Sequence, residues 1–292
     1  MSVYVINEER VKAVSSVFKS LGLEGCEEFV RVDPQYVSLS KLQRFCGEIS
    51  VELAAINSLV SYMLSMKGEE FWNLFTDFTM SRCSEVRDLR GAVELVKEFT
   101  RNYNKLYLGV KMKRLDKVLK CADAFKSLRL GQIKEYLSKL SLCIDAEKES
   151  KTVVFSVKMA YYVLRSTKAD ANLSKISIPV DRRVALVTLT SGLLSPTRRT
   201  IKTFIELENL AEELLKHPKN VRIVWDIVSE ESGIPALLID TPLWLIGGYV
   251  KTSKASEIVK NLVNLGLLID ESLLTRLVSE LTYILRTKLS PL

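Results

Sequence analysis

Apolar residues recur at steps of three and four positions along most of this chain. In the first such stretch, residues 8–21, the apolar positions are Val11, Val14, Phe18 and Leu21, and Gly22 follows. This spacing is typical of an amphipathic helix with one buried face. Further helices are predicted at residues 42–64, 71–80, 86–101, 115–125, 134–143, 152–164, 184–194, 200–216, 222–230, 241–250, 255–265 and 272–286. The sequence therefore predicts an all-α protein.

Strand signals are few, and the connections between helices are short. Residues 107–110 and 176–180 are the two predicted strands, and turn residues bound both of them. No long linker and no fixed repeat is visible, so any lobes should pack together. The chain has 292 residues, 47% of them hydrophobic, with 12 Gly and 7 Pro. This composition excludes disordered and collagen-like classes and suits one large domain or two smaller lobes.

The cysteine and histidine content argues against metal and disulfide chemistry. The five cysteines are odd in number and form no CxxC motif, so we expect free thiols in a reducing compartment, acting as small buried hydrophobes. The one histidine, His217, precedes Pro218 and has no ligand-type neighbours. The sequence therefore argues against zinc, haem and histidine-based triad sites, and His217 is interpreted as a helix-end residue. We therefore expect no metal site.

Charge and hydropathy favour a soluble, intracellular protein. The N-terminus has no signal-peptide pattern, and the apolar residues 234–250 are too short and too interrupted to span a membrane, so they predict a buried helix. With 42 Lys and Arg against 35 Asp and Glu, the net charge of +7 weakly favours a polyanionic partner. The densest basic run, residues 111–120 (KMKRLDKVLK), fits either a solvated helix face or a nucleic-acid contact.

One predicted helix carries an unusual face. Lys151, Phe155, Lys158 and Tyr162 are spaced four, three and four residues apart, so they share one side of the helix, while the valines at positions 153, 154 and 157 face the core. Lys151 lies at the helix start, where the positive end of the dipole, with partial burial, would favour a neutral and nucleophilic amine. The alternative is an exposed first-turn lysine without a role.

Two aspartates precede predicted helices. Asp181 follows an extended stretch that contains Pro179 and is a natural N-cap, so its carboxylate would be held ionised and could stabilise a developing cation. Asp240 precedes Pro242 and lies one turn before Trp244, a pair that could read the edge and face of a nucleobase. In both cases a purely structural role, as a cap or as a core residue, remains the alternative.

Taken together and in order, these segments resemble the archaeal 8-oxoguanine DNA glycosylase/lyase family known as AGOG. The resemblance runs from about residue 33 to 248, through residues 33–36 (DPQY), 64–72 (LSMKGEEFW), 151–158 (KTVVFSVK), 178–184 (IPVDRRV) and 224–245 (VWDIVSEESGIPALLIDTPLWL). It implies the two-lobed, all-α helix–hairpin–helix glycosylase fold. The glycine-rich hairpin of the wider superfamily is missing at residues 142–150 (LCIDAEKES), as it is in this family.

The resemblance also implies domains, site residues and a mechanism. We expect one lobe at residues 1–75 with 190–292 and a second at 76–189, with a cleft between them. Lys151 matches the family's catalytic lysine, and Asp181 matches its catalytic aspartate. The base-binding residues of the family match Gln35, Trp72, Phe155, Lys158, Asp240 and Trp244. The tail after about residue 250 receives no catalytic role.

The implied function is excision of flipped 8-oxoguanine from double-stranded or single-stranded DNA by a monomer. Strand nicking by β-elimination through a lysine Schiff base follows, and neither a metal nor an organic cofactor is needed. Two alternatives remain open. One is a glycosylase of the same fold for another damaged base. The other is a non-enzymatic helical module, either one that binds nucleic acid through the basic run or an interaction module whose charge is incidental.

Overall fold

A computed structural model describes residues 4–165, 172–197, 201–252 and 254–287. It is mostly helical, which confirms the predicted all-α class. In chain order, the elements up to the middle of the chain are β1 (Tyr4–Ile6), α1 (Glu8–Val32), α2 (Pro34–Cys46), α3 (Ile49–Ser58), α4 (Gly68–Met80), a 3-10 helix (Cys83–Glu85), α5 (Leu89–Tyr103), α6 (Leu108–Val118), α7 (Ala122–Arg129), α8 (Ile133–Cys143) and α9 (Lys151–Arg165). The remaining elements are α10 (Arg182–Thr190), β2 (Leu194–Pro196), α11 (Phe204–Leu214), α12 (Pro218–Ser232), α13 (Ala236–Gly247), α14 (Ala255–Asn264), α15 (Glu271–Leu281) and α16 (Tyr283–Thr287).

The chain forms two compact units. The first contains the described parts of Met1–Asp33 and Ser174–Leu292, and the second contains the described parts of Pro34–Leu173. These boundaries differ from the predicted 75/76 and 189/190. The cause is packing: α2 lies against α4 and α9 inside the second unit, whereas α10 lies against α11 and α13 inside the first.

Neither predicted strand forms. At residues 107–110, Tyr107 adopts a left-handed φ of 55° and α6 begins at Leu108. Residues 176–180 form neither a helix nor a strand, and the side chains of Ile176, Ile178 and Val180 are buried. The sheet that the structure does show pairs β1 with β2, antiparallel, with Tyr4 opposite Pro196. The apolar residues at 176–180 are buried, but a strand also needs a hydrogen-bonded partner.

The helix that carries Lys151 is anchored on α3 within the second unit. Ser156 Oγ of α9 donates to the Ala55 carbonyl of α3 at 2.8 Å and lies 2.7 Å from the Tyr136 hydroxyl of α8. Burial raises the pKa of the Tyr136 phenol, against the opposing effect of its hydrogen bond to Ser156. The buried polar contacts are thus satisfied, and they fix the rotation of α9 about its own axis.

The cysteine prediction is wrong for four of the five residues. Disulfides join Cys46 to Cys83 and Cys121 to Cys143, both within the second unit. Cys26 stays a buried free thiol, and burial raises its pKa. Spacing along the chain shows no pairing here because each disulfide joins two segments, 37 and 22 residues apart, that only the tertiary fold brings together. The cysteine argument for a reducing compartment therefore no longer holds.

Residues 234–250 form α13 and its flanking turns, and most of their side chains are buried, as predicted. Among the described residues, no helix combines the length and the apolar character that a membrane span requires.

Candidate functional site

Lys151 is the first residue of α9. The Ser150 carbonyl accepts the N–H groups of Val153 and Val154, both at 3.0 Å, and so closes the first turn. The predicted position at a helix N-terminus is confirmed. The partial burial that we expected is wrong, because the Lys151 side chain is exposed. An exposed amine can reach a large substrate such as a nucleic-acid strand.

The face of α9 below Lys151 runs from the surface into the interior. Phe155, one turn along, is half-buried, and Lys158 and Tyr162 are each only 1% exposed. The Lys158 ammonium lies 5.4 Å from the centre of the Tyr162 ring, a cation–π distance. The three valines at positions 153, 154 and 157 are buried, as predicted. A lysine–aromatic stripe and an apolar face therefore share one helix.

The second unit also gathers Trp72 and Gln35 near this stripe. The Trp72 ring meets Phe155 edge-on at 6.2 Å between ring centres, and Trp72 itself is 1% exposed among the phenylalanines of α4 and α5. Gln35 is 4% exposed at the start of α2, and the next residue, Tyr36, packs edge-on against Tyr162 at 5.6 Å. Four of the six predicted base-binding residues thus lie in the second unit, on α2, α4 and α9.

Asp181 caps α10 in the first unit. Its Oδ1 accepts the Val184 N–H at 2.9 Å, and its backbone is extended (φ −121°, ψ −175°), so the predicted N-cap is confirmed. Upstream, Ser177 Oγ donates to both carboxylate oxygens of Asp226 on α12, at 2.9 and 3.2 Å. Within the described residues, Asp181 Oδ2 makes no hydrogen bond, so the cap fixes the carboxylate while one oxygen stays available.

Asp240 and Trp244 lie on α13, one turn apart, but the predicted cap is wrong. The helix begins at Ala236 after Pro235, so Asp240 is inside it and 3% exposed, and Pro242 interrupts its interior. The apolar residues 236–239 extend the helix backwards because they can all be buried, which outweighs the usual first-turn position of proline. Trp244 is half-buried.

Arg183 is a residue that the sequence analysis missed. Its guanidinium stacks on the Trp244 ring at 4.0 Å, and Nη1 lies 3.4 Å from the Trp244 carbonyl. The stack links the helix that Asp181 caps to the helix that carries Asp240 and Trp244. An arginine in the first turn of a helix, where the dipole disfavours a cation, was the available signal.

The basic run at residues 111–120 is neither a uniform solvated face nor a uniform basic surface. Lys111 is fully buried, and burial lowers its pKa to about 8. Its amine donates to the Asn104 carbonyl at 3.3 Å and also bonds the Asn104 side chain. Arg114 is half-buried, whereas Lys113, Lys117 and Lys120 are exposed. Lys111 and Arg114 therefore lie on the side of α6 that packs against the protein, whereas the three exposed lysines face solvent.

Within the described residues, no group of three or more His, Cys, Asp or Glu side chains is placed to hold a metal ion.

Known proteins are similar to this chain in sequence and in fold. A family model described as AGOG, N-glycosylase/DNA lyase, matches residues 15–278. An N-glycosylase/DNA lyase from Pyrobaculum aerophilum is 33% identical over 245 residues, 82% of this chain and 87% of its own length. One from Aeropyrum pernix is 31% identical over 256 residues, 82% and 83% of the two chains.

A solved structure agrees with these sequence matches. It is the 8-oxoguanosine complex of Pa-AGOG, the 8-oxoguanine DNA glycosylase from Pyrobaculum aerophilum, with a TM-score of 0.70 and 30% identity, covering 93% of this chain and 97% of that one. The match confirms the predicted glycosylase fold. The chain therefore belongs to the AGOG family of N-glycosylase/DNA lyases and is a DNA glycosylase/lyase.

Proposed function

We propose that this enzyme excises 8-oxoguanine from DNA and nicks the strand through a Schiff base on Lys151, as a monomer and without a metal or organic cofactor. The observation that carries the proposal is the position of Lys151, an exposed amine on the first residue of α9, above a buried face of aromatic residues and a second lysine. The 8-oxoguanosine bound to the similar Pyrobaculum structure supports the choice of base.

Lys151 is the nucleophile in this proposal. Its neutral amine forms a bond to C1′ of the sugar while the bond from C1′ to the base breaks, and the base leaves with that electron pair and takes up a proton. Opening of the sugar ring gives an imine between C1′ and the lysine. Loss of a proton from C2′ then expels the 3′ phosphate, which is β-elimination. The balance of protons and electrons requires no redox partner.

Asp181 stabilises the positive charge that develops on the sugar as the base leaves. Its Oδ1 is held by the Val184 N–H, so the direction of the carboxylate is set before the reaction begins. A preorganised anion of this kind costs no reorganisation in the transition state. The second oxygen is the one that we assign to the sugar, either as an electrostatic partner or in moving a proton.

The base-binding residues would recognise the extruded base. Extrusion from duplex DNA costs roughly a few kcal/mol, and stacking on an aromatic ring returns about 1–3 kcal/mol per base. We assign stacking to the half-buried rings of Phe155 and Trp244, with Trp72 supporting Phe155 from its edge. Gln35, Lys158 and Asp240 are polar and at most 4% exposed, so we assign them to the edges of the base.

Discrimination against guanine follows from one hydrogen. N7 of 8-oxoguanine carries a proton, whereas N7 of guanine is an acceptor. An acceptor of the protein that faces N7 would pair with the lesion and would oppose a second acceptor in guanine. An unpaired or opposed acceptor in a site without water costs about 1–3 kcal/mol. This corresponds to roughly a tenfold to hundredfold preference for 8-oxoguanine over guanine, before any transition-state effect.

The experiment is base release from a panel of duplexes and single strands, each carrying one 8-oxoguanine, guanine, an alkylated purine or an oxidised pyrimidine. We expect release of 8-oxoguanine far above that of every other base. Preferential release of another base would keep the glycosylase and overturn the proposed substrate. Binding without release of any base would contradict the proposed activity and favour a non-enzymatic role.

A further inference from the structure

Arg114 of α6 joins the ends of two helices in the second unit. Its Nη1 donates to the Leu59 carbonyl at 3.1 Å and to the Thr152 hydroxyl at 3.0 Å. Leu59 is the C-cap of α3, and Thr152 is the residue next to Lys151 in the first turn of α9. One guanidinium nitrogen, with two hydrogens, therefore bridges the end of one helix and the start of the other.

The bridge completes a register between the two helices. Ser156 of α9 bonds Ala55 of α3 at 2.8 Å. Arg114 links Thr152, four residues before Ser156, to Leu59, four residues after Ala55. The helices are therefore antiparallel here, with one contact per turn. At the second contact α3 has ended, and the arginine spans the place where a direct helix–helix bond is missing. Its charge also lies at the negative end of α3.

The guanidinium is itself held in place. Its central carbon lies 5.6 Å from the centre of the Tyr62 ring, and the Lys111 amine lies 5.0 Å from the same ring. Lys111 is bonded to Asn104, whose side-chain amide donates to the Val60 carbonyl at 2.8 Å. A rigid arginine fork loses little further entropy when it makes its bonds, so the restraint passes to Thr152.

We propose that Arg114 is a positioning residue that holds the first turn of α9 and thereby the amine of Lys151. This inference rests on the proposed role of Lys151. The first residue of a helix has few backbone restraints, because the N–H groups of the first turn lack partners within the helix. Without the Arg114–Thr152 bond, the turn would fray and the amine would sample more positions. A displacement of about 1 Å at a reacting group can cost about a hundredfold in rate.

The test compares four variants in single-turnover base release with saturating enzyme. Arg114→Gln and Thr152→Val each remove one side of the bond, and Thr152→Ser keeps the hydroxyl. Lys113→Gln is the matched control, since it removes one exposed charge from the same helix. We expect roughly 10- to 100-fold slower release for the first two, less than about threefold change in the Kd for DNA, and near wild-type rates for the other two.

A double-mutant cycle separates positioning from other roles. If Arg114 acts through Thr152, the double variant should be no slower than the slower single variant, because one bond is removed in each case. Multiplied effects, or a weaker Kd with an unchanged rate at saturation, would overturn the proposal. A lower melting temperature with an unchanged rate would also overturn it. If Lys151→Gln still cleaves DNA, the proposed nucleophile is wrong. If cleavage requires Lys151 but Arg114→Gln has no effect on the rate, only the positioning role of Arg114 is wrong.

Discussion

Lys151 and Lys158 show how position on one helix separates two identical side chains. They lie two turns apart on the same face of α9, yet the first is exposed and the second is 1% exposed beside Tyr162. Burial of an amine is costly unless it has partners, so Lys158 is suited to hold a fixed contact. The exposed amine of Lys151 is suited to approach and attack a substrate atom. The proposed division into a base-reading and a nucleophilic lysine follows from this difference.

Asp181→Asn separates the cap from the chemistry. Asparagine caps helices about as well as aspartate, so the free energy of unfolding should change by less than about 0.5 kcal/mol. The negative charge is lost, and base release should slow by orders of magnitude. Rates of 8-oxoguanine release and a denaturant titration of the same sample measure both effects. A release rate near that of the wild type would reduce Asp181 to a structural cap.

Lys111 predicts a pH dependence of stability. Burial lowers its pKa from 10.5 to about 8, so between these values the unfolded chain binds a proton that the folded chain does not. The free energy of unfolding should therefore rise, by up to a few kcal/mol, as the pH increases through this window, because the cost of burying the charge disappears.

The control for this pH effect is Lys111→Met, which fills the site without a titrating group. Denaturant midpoints of both proteins from pH 7 to 10 should show the wild type gaining stability relative to the variant. Parallel curves would contradict a buried amine with a lowered pKa. Arg114, the cation that shares the Tyr62 ring, stays charged across this range.

At the scale of elements, Gly247 sets the distance between α10 and α13. A Cβ at this position would lie 3.0 Å from Arg183 Cβ, 3.2 Å from Val187 Cγ2 and 3.3 Å from the Arg183 carbonyl. The close approach lets Arg183 reach the Trp244 ring. Glycine in a helix otherwise costs about 1 kcal/mol relative to alanine, so packing is the physical reason for it here.

Gly247→Ala should therefore lower the free energy of unfolding by about 1–3 kcal/mol, the usual cost of overpacking. Gly109 of α6 is the matched control, since a Cβ there meets nothing within 4 Å, and Gly109→Ala should be neutral or stabilising. Chemical denaturation of both variants measures the difference. Equal stability of the two would show that α10 and α13 can separate without cost.

Elements were predictable from the sequence where local rules decide them. Gly22 ends the first regular stretch of α1, as predicted, and its left-handed φ of 68° marks a kink within the helix. Asp181 was recognisable as a cap because an apolar-periodic helix follows it directly. The start of α13 was not predictable in this way, because burial of residues 236–239 decides it. The Arg114 bridge depends on a contact between α6 and α9, which no local pattern contains.

At the scale of the whole molecule, helical periodicity predicted the class but not the division into units. Residues 34–75 belong with residues 76–173 because α2 and α3 pack on α9, and this depends on contacts between distant parts of the chain. The disulfides were missed for the same reason. The site residues came from a resemblance that spans most of the chain, and the structure adds what surrounds each of them: exposure for Lys151, a cap for Asp181 and a stacked arginine for Trp244.

The most direct test of the account is borohydride trapping on a duplex with one 8-oxoguanine, using the wild type and Lys151→Gln side by side. The account predicts a covalent protein–DNA band for the wild type only, while the variant still binds the duplex. A band of equal strength with both proteins would place the nucleophile elsewhere. No band with either protein, despite tight binding, would contradict the Schiff base.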